Sequence, residues 1–202
     1  MRYGMVIDLK KCVGCNACSV ACKQHNATPP GILYSRVPTW EEGKYPNTRL
    51  KVLPLLCMHC AEPPCETVCP TGATMKLDNG IVTVNPDLCI GCRYCMVACP
   101  YNARFFNFSE PEQYFPGMET TAYEQAHKGE HFKGTVEKCD FCVERVEAGE
   151  VPICVQTCPA IARYFGDLDD PNSEVSRLIA TKGGYTLHPE LGTQPSVFYL
   201  PG

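Results

Sequence analysis

The sequence predicts an α+β protein made of two small modules related by internal duplication, with loop insertions and a C-terminal tail. Three observations carry this. There are 16 cysteines in 202 residues, they fall into four groups of four with none left over, and an Asn-Gly dipeptide sits between two short β-prone runs. Cysteine usage this far above average makes cysteine chemistry the first thing to explain.

Group one is Cys12-x2-Cys15-x2-Cys18-x3-Cys22. Group two is Cys57-x2-Cys60-x4-Cys65-x3-Cys69-Pro70. Group three is Cys89-x2-Cys92-x2-Cys95-x3-Cys99-Pro100, and group four is Cys139-x2-Cys142-x11-Cys154-x3-Cys158-Pro159. Groups one and three match the C-x2-C-x2-C-x3-C run of bacterial ferredoxins. Three close thiolates let a tight loop wrap one face of an iron–sulfur cube. The fourth cysteine sits on the helix leaving the loop and reaches a neighbouring cube, and the proline turns the chain away from that helix. A disulfide scaffold is disfavoured because repeated C-x2-C is metal spacing. Zinc sites use two such pairs, whereas each pair here is followed by a third Cys and a C-x3-C.

The elements follow in order. Val6-Ile7-Asp8 leads into Cys12-Val13-Gly14-Cys15 and Val20-Ala21-Cys22. The same arrangement recurs as Val84 to Asp87, Cys89-Ile90-Gly91-Cys92 and Val97-Ala98-Cys99. Residues 23–56 hold Pro29, Pro30, Gly31, Pro38, Gly43 and Pro46 and read as an irregular loop with short strands. Pro64-Cys65-x3-Cys69-Pro70-x2-Ala73 corresponds to Pro152-Ile153-Cys154-x3-Cys158-Pro159-x2-Ala162, so the order is A, B, A′, B′. Asn79-Gly80, between Thr74–Leu77 and Ile81–Val84, is a strong hairpin signal. It joins groups two and three into one module and leaves groups one and four to pair around it. Sequential pairing, one with two and three with four, is the alternative. Ala103-Arg104-Phe105-Phe106 and Ala162-Arg163-Tyr164-Phe165 read as closing strands.

The predicted division is therefore 1–50 with 138–166 as one ferredoxin-like module and 51–107 as the other. Residues 108–137 form a polar connector containing Pro111, Pro116, Gly117, Gly129 and Gly134, and 167–202 form a docking tail. In that tail Asp170 to Ser173 opens a short helix through Val175, Leu178 and Ile179. If the fourth cysteine of each run serves the other cube, nested pairing gives four ligand sets. They are Cys12, Cys15, Cys18 and Cys158; Cys22, Cys139, Cys142 and Cys154; Cys57, Cys60, Cys65 and Cys99; and Cys69, Cys89, Cys92 and Cys95.

Composition narrows the function. A formal net charge of −4 and a pI near 5.7 argue against a nucleic-acid binder. No apolar run approaches a membrane span, and the N-terminal residues carry no secretory signal. With no phosphate loop and no nucleophile beside a base, there is no candidate active site.

The chain resembles the four-cluster electron-transfer subunits of the dimethyl sulfoxide reductase superfamily of molybdenum and tungsten enzymes. The residues that carry the resemblance are Ile7-Asp8-x3-Cys12-Val13-Gly14-Cys15, Cys57-Met58-His59-Cys60, Cys69-Pro70-Thr71-Gly72-Ala73, Cys89-Ile90-Gly91-Cys92 and Lys138-Cys139-x2-Cys142. The tail adds Gly166-Asp167-Leu168-Asp169-Asp170-Pro171 and Pro189-Glu190-Leu191-Gly192-Thr193, most like polysulfide/thiosulfate and respiratory arsenate reductase small subunits. All but residues 108–137 are covered. The resemblance implies a molybdopterin-containing catalytic partner facing the module of groups one and four. It also implies a quinone-linked membrane subunit or soluble redox partner, and co-export to an extracytoplasmic compartment, with a cytoplasmic site as the alternative. Nitrate reductase relatives have a tryptophan at the position of Cys92; its presence here implies four complete [4Fe–4S] clusters. A free-standing polyferredoxin is the rival function.

Several other residues invite a role. His59, between two ligand cysteines, reads as packing or a contact behind the ligands. His127 and His131 read as solvated surface. Lys10, Lys11, Arg93 and Lys138 sit beside cysteines and either raise cluster potentials or are plain surface charge. Phe105, Phe106 and Phe108 read as packing.

Overall fold

In the computed structural model, which describes residues 1–110, 114–115, 117–127 and 129–202, the elements alternate with the cysteine loops. β1 (Tyr3–Asp8) enters the first loop and α1 (Ala17–His25) leaves it, carrying Cys18 and Cys22. β2 (Thr39–Lys44) and β3 (Asn47–Val52) form a hairpin. α2 (Pro64–Thr67), β4 (Thr74–Lys76), β5 (Val82–Val84) and α3 (Tyr94–Ala98) hold groups two and three. β6 (Phe105–Phe106), α4 (Ala122–Ala126) and β7 (Val136–Glu137) follow. α5 (Val143–Glu147) and α6 (Ile153–Gln156) lie in group four. β8 (Arg163–Asp167), α7 (Glu174–Lys182) and β9 (Val197–Leu200) end the chain.

β1 is buried from Gly4 to Asp8 because both of its faces are covered. Successive side chains of a strand point to opposite faces. Met5 and Ile7 enter the main core with Leu56, Met58, Ile81, Phe141 and Tyr199, while Val6 packs on Val175 and Leu200. β8 pairs antiparallel with β1, Ile7 opposite Arg163, and β9 pairs parallel, Met5 opposite Val197.

α7 begins at Ser173, whose hydroxyl accepts from Ser176 N at 3.2 Å. It ends at Gly183 in the left-handed region, a common way to stop a helix. Its buried Val175 faces β1, as the spacing of Val175, Leu178 and Ile179 predicts.

The hairpin at Asn79-Gly80 forms between β4 and β5, Thr74 opposite Val84. The first and third cysteine loops share a backbone: Gly14 and Gly91 both have φ +68°, and Asn16 and Arg93 have φ 60° and 63°. At Gly91 a side chain would also collide with the Gly134 carbonyl. After the group-ending prolines, Gly72, Asn102 and Ile161 repeat a positive φ.

Two regions depart from expectation. Residues 39–52 form a regular hairpin of two six-residue strands rather than an irregular loop. Nearly all of its residues are exposed, so no alternation of apolar and polar residues betrays it. The connector ends in β7, which pairs with β6, Phe105 opposite Glu137. It also contains α4, opened by the Thr121/Glu124 capping box; Pro111 and Pro116 lie outside the described residues.

The tail packs on its own chain. Val197, Tyr199 and Leu200 are buried, and Tyr199 Oη donates to Pro54 O at 2.8 Å. Ser196 N donates to Met58 O at 2.8 Å, and Thr193 Oγ1 lies 2.5 Å from Tyr101 Oη. The segment thus straps residues 54–61 and 101 to β1.

Candidate metal centres

Three small cavities, about 20 Å³ each and open to solvent, are ringed by cysteines. One is lined by Cys12, Cys15, Cys18 and Cys158. A second is lined by Cys57, Cys60, Cys65 and Cys99, and a third by Cys69, Cys89, Cys92 and Cys95. The remaining four are also neighbours: Cys22 lies in the field of Cys142 and Cys154, and Cys139 in that of Cys22 and Cys154. Each foursome draws on two sequence groups, one with four and two with three.

The donor chemistry suits iron–sulfur cubes. A single zinc ion needs its ligands about 2.3 Å from one point. Among the described residues no three His, Cys, Asp or Glu side chains converge that way; the thiols stand on the cavity walls. Burial pushes the Cys60 and Cys142 thiols up to about 12, and raises Cys22, Cys139 and Cys154 as well. Such thiols stay protonated until metal takes the thiolate, so loading releases protons. Cys69 is held below the ordinary value: burial opposes this, but the Thr74 N–H at 3.5 Å and the Thr71 hydroxyl outweigh it. Ala162 N donates to Cys158 Sγ at 3.3 Å and Asn26 Nδ2 to Cys22 Sγ at 3.4 Å. Contacts of this kind to sulfur tune cluster potentials.

The other singled-out residues separate clearly. His59 is fully buried, stacked 3.7 Å from Phe141, and its Nδ1 accepts from Val82 N at 3.1 Å. Burial, with Lys138 and Arg104 nearby, holds it well below the usual histidine range, so it packs as a neutral ring. Lys10, Lys11 and Arg93 are exposed, Arg93 over the rings of Phe106 and Phe108. Lys138 is buried, and its Nζ donates to the carbonyls of Val82 and Cys139. His127 bonds to Glu130, and His131 to Glu137 and the Asn26 carbonyl.

Two site residues escape a reading of the sequence. Arg104 and Arg163 are both buried at 3% exposure, each beside cysteines of two different sets. The signal is the repeated Ala-Arg-aromatic-Phe itself, which reads equally well as a strand.

The fold and its cysteine cradles define an α+β, ferredoxin-like carrier of [4Fe–4S] clusters. Family models agree: residues 11–73 match one 4Fe-4S dicluster domain, and residues 48–114 and 117–168 match another. A selenate reductase subunit of Mesobacillus selenatarsenatis is 47% identical over 99% of this chain and 72% of its own length. The arsenate respiratory reductase iron-sulfur subunit of a Shewanella species is 43% identical over 99% of this chain and 96% of its own. A tetrathionate reductase subunit of Salmonella typhimurium is 41% identical over 98% and 72%. The chain belongs to the iron–sulfur electron-transfer subunits of the dimethyl sulfoxide reductase superfamily, and its role is to carry electrons rather than to transform a substrate.

Proposed function

We propose that the chain holds four [4Fe–4S] clusters in two duplicated modules and forms a wire between a molybdopterin-containing catalytic subunit and a second redox partner. The observation that carries the reading is the ring of four cysteines around each of three cavities, drawn from groups one with four and two with three. The ligand sets are then Cys12, Cys15, Cys18, Cys158; Cys22, Cys139, Cys142, Cys154; Cys57, Cys60, Cys65, Cys99; and Cys69, Cys89, Cys92, Cys95. When bound, the clusters supply single-electron transfer without bond rearrangement. The protein supplies thiolates, N–H donors to sulfur and exclusion of water. The shared backbone of the first and third loops, and of the segments after each Cys-Pro, supports the duplication.

The order of the wire follows from neighbours. Cys18 and Cys154 flank Arg163, Cys57 lies near Cys139, and Cys65 and Cys95 flank Arg104. Exposed Cys15 stands at one end and exposed Cys92 at the other. Apolar side chains surround both ends: Val13, Val20 and Ile161 at one, Ile90, Tyr94 and Val97 at the other. Exposed apolar groups clustered this way mark partner contacts. The Cys15 end faces the catalytic subunit. The Cys92 end faces a quinone-linked membrane anchor or a soluble partner. Among the described residues no helix is long and apolar enough to cross a membrane. The compartment proposed is extracytoplasmic, reached by export as a folded complex with the catalytic subunit; the alternative is cytoplasmic.

Anaerobic purification with metal analysis tests the reading. Four cubes give about 16 irons and as many sulfides per chain, with molybdenum or tungsten in the co-purifying large subunit. Zinc in the chain, or about 12 irons, overturns it.

A further inference from the structure

Burying a guanidinium is expensive unless anions and hydrogen-bond acceptors meet it, yet this chain buries two, at matching places after Cys99-Pro100 and Cys158-Pro159. Arg163 Nη2 donates to Cys18 Sγ at 3.3 Å and to Ser35 Oγ at 3.2 Å, with Met5 Sδ 3.8 Å from Nη1. The same guanidinium reaches the thiol of Cys154. Arg104 Nη1 donates to Thr74 Oγ1 at 3.0 Å. Its Nε and Nη2 are buried without a well-formed hydrogen bond, beside the thiols of Cys65 and Cys95.

The pattern is the same twice. Each arginine stands between the third cysteines of two groups, which belong to different ligand sets, and each is steadied by one buried hydroxyl, Ser35 or Thr74. No carboxylate is among the groups placed against either arginine. What these cations face is sulfur.

We infer that Arg163 and Arg104 are positioning residues, each shared by the two clusters of its module. Each guanidinium directs N–H donors at one sulfur of each cluster and raises both potentials together. The inference rests on the four-cluster reading. A thiolate-ligated cube is anionic and gains one more negative charge when it accepts an electron, with no bond made or broken. A fixed cation, and hydrogen bonds to ligand sulfur, therefore favour the reduced state. Because one guanidinium serves two cubes, the pair shifts together and the difference between their potentials changes little. Lys138 adds its charge near Cys65 but gives its ammonium hydrogens to the Val82 and Cys139 carbonyls, so it directs no donor at sulfur there.

The test is potentiometric titration followed by electron paramagnetic resonance on the cluster-loaded chain with its co-purified partner. In Arg104→Met, the two clusters of the Cys57 and Cys89 loops should each lose at least tenfold in the ratio of reduced to oxidised cluster at fixed potential, about 59 mV for a one-electron couple. The other two clusters should stay put. Arg163→Met should do the converse. Arg→Lys keeps the charge but not the fork, and should rescue the potential of one cluster more than the other. A shift confined to one cluster, spread over all four, or absent overturns the inference. If a Met variant loses iron, Thr74→Val and Ser35→Ala, which only release the guanidinium, decide it. A paired shift of about two- to threefold supports sharing, and no shift refutes it. Iron analysis of the parent protein reports separately on the four-cluster reading, so the two failures are distinguishable.

Discussion

Around the first and fourth cysteine groups, β1 is sandwiched between β8 and β9 and covered by α7, so the ligand loops hang from a buried three-stranded sheet. Around the second and third, the described sheets are the three-residue strands β4 and β5 and the two-residue strands β6 and β7. The two buried arginines are placed alike, each with one hydroxyl partner, although Arg163 is the one with a well-formed bond to sulfur. The cysteine loops themselves also match, down to the φ values of Gly14 and Gly91. Loop geometry is set locally by C-x-G-C spacing, whereas stability comes from whatever the loop hangs on. The half with the thinner scaffold depends more on its clusters.

The largest effect that could break this comparison is removal of the clusters. Chelation of iron should abolish most native structure, because metal binding and folding are coupled. Any amides that stay protected from hydrogen exchange should lie in β1, β8 and β9, and none in residues 64–99. Equal protection in both halves would contradict the difference in scaffold.

Next come the crossed ligands. Cys158→Ser should cost the cube of the N-terminal loop and leave the Cys139 cube. Cys99→Ser should cost the Cys57 cube and leave the Cys89 cube. Each loses about 4 of about 16 irons, read by metal analysis and paramagnetic resonance. Loss of the Cys139 cube in Cys158→Ser would refute the nested scheme.

Deleting residues 186–202 removes β9 with buried Val197, Tyr199 and Leu200. At ~1.5–3 kcal/mol for each buried side chain, the loss is comparable with the whole stability of an ordinary domain. Calorimetry should show the sheet-bearing half melting first, the reverse of the intact chain. A finer probe is Tyr199→Phe, which leaves the Pro54 carbonyl without its donor and should cost ~1 kcal/mol.

The smallest effect is pH-dependent. Burial lowers the His131 pKa, but the Glu137 hydrogen bond and charge outweigh it and the net shift is upward. Both ring nitrogens face acceptors, Glu137 Oε1 at 2.8 Å and Asn26 O at 2.9 Å, which suits the imidazolium. A raised folded-state pKa contributes stability below the ordinary histidine value, and that contribution is lost as pH rises through the raised value. Amide exchange at residues 129–137 should therefore quicken with pH beyond its intrinsic rise, and Glu137→Gln should remove the excess. An unchanged excess in that variant would dismiss the pair as the cause.

Much of this is legible without coordinates, because the constraints are local and periodic. Cysteine spacing names the chemistry, Asn79-Gly80 places the β4–β5 turn, and Val175, Leu178 and Ile179 place α7. The hairpin of β2 and β3 is hidden because Trp40, Tyr45 and Leu50 are all exposed, leaving no buried face to write a pattern. The paired arginines are hidden for the opposite reason. A strand residue pointing inward is spelled the same whether it meets a core or a sulfur cradle, and Arg104 and Arg163 acquire meaning only from what lies opposite. The pairing of β9 with β1 is hidden too, because it is a contact between segments far apart in sequence, to which local periodicity is blind.

That pairing has a consequence for biosynthesis. β1 leaves the ribosome long before β9, and parallel contacts so far apart in sequence form late and slowly. A nascent chain therefore waits with its N-terminal loop open while more than a hundred residues are still to be translated. Cys158, proposed to close the first cradle, also arrives long after Cys18. Cofactor delivery to that cradle is thus postponed until the chain has been made through Cys158, so a chain terminated before it is left unsealed and exposed to proteolysis.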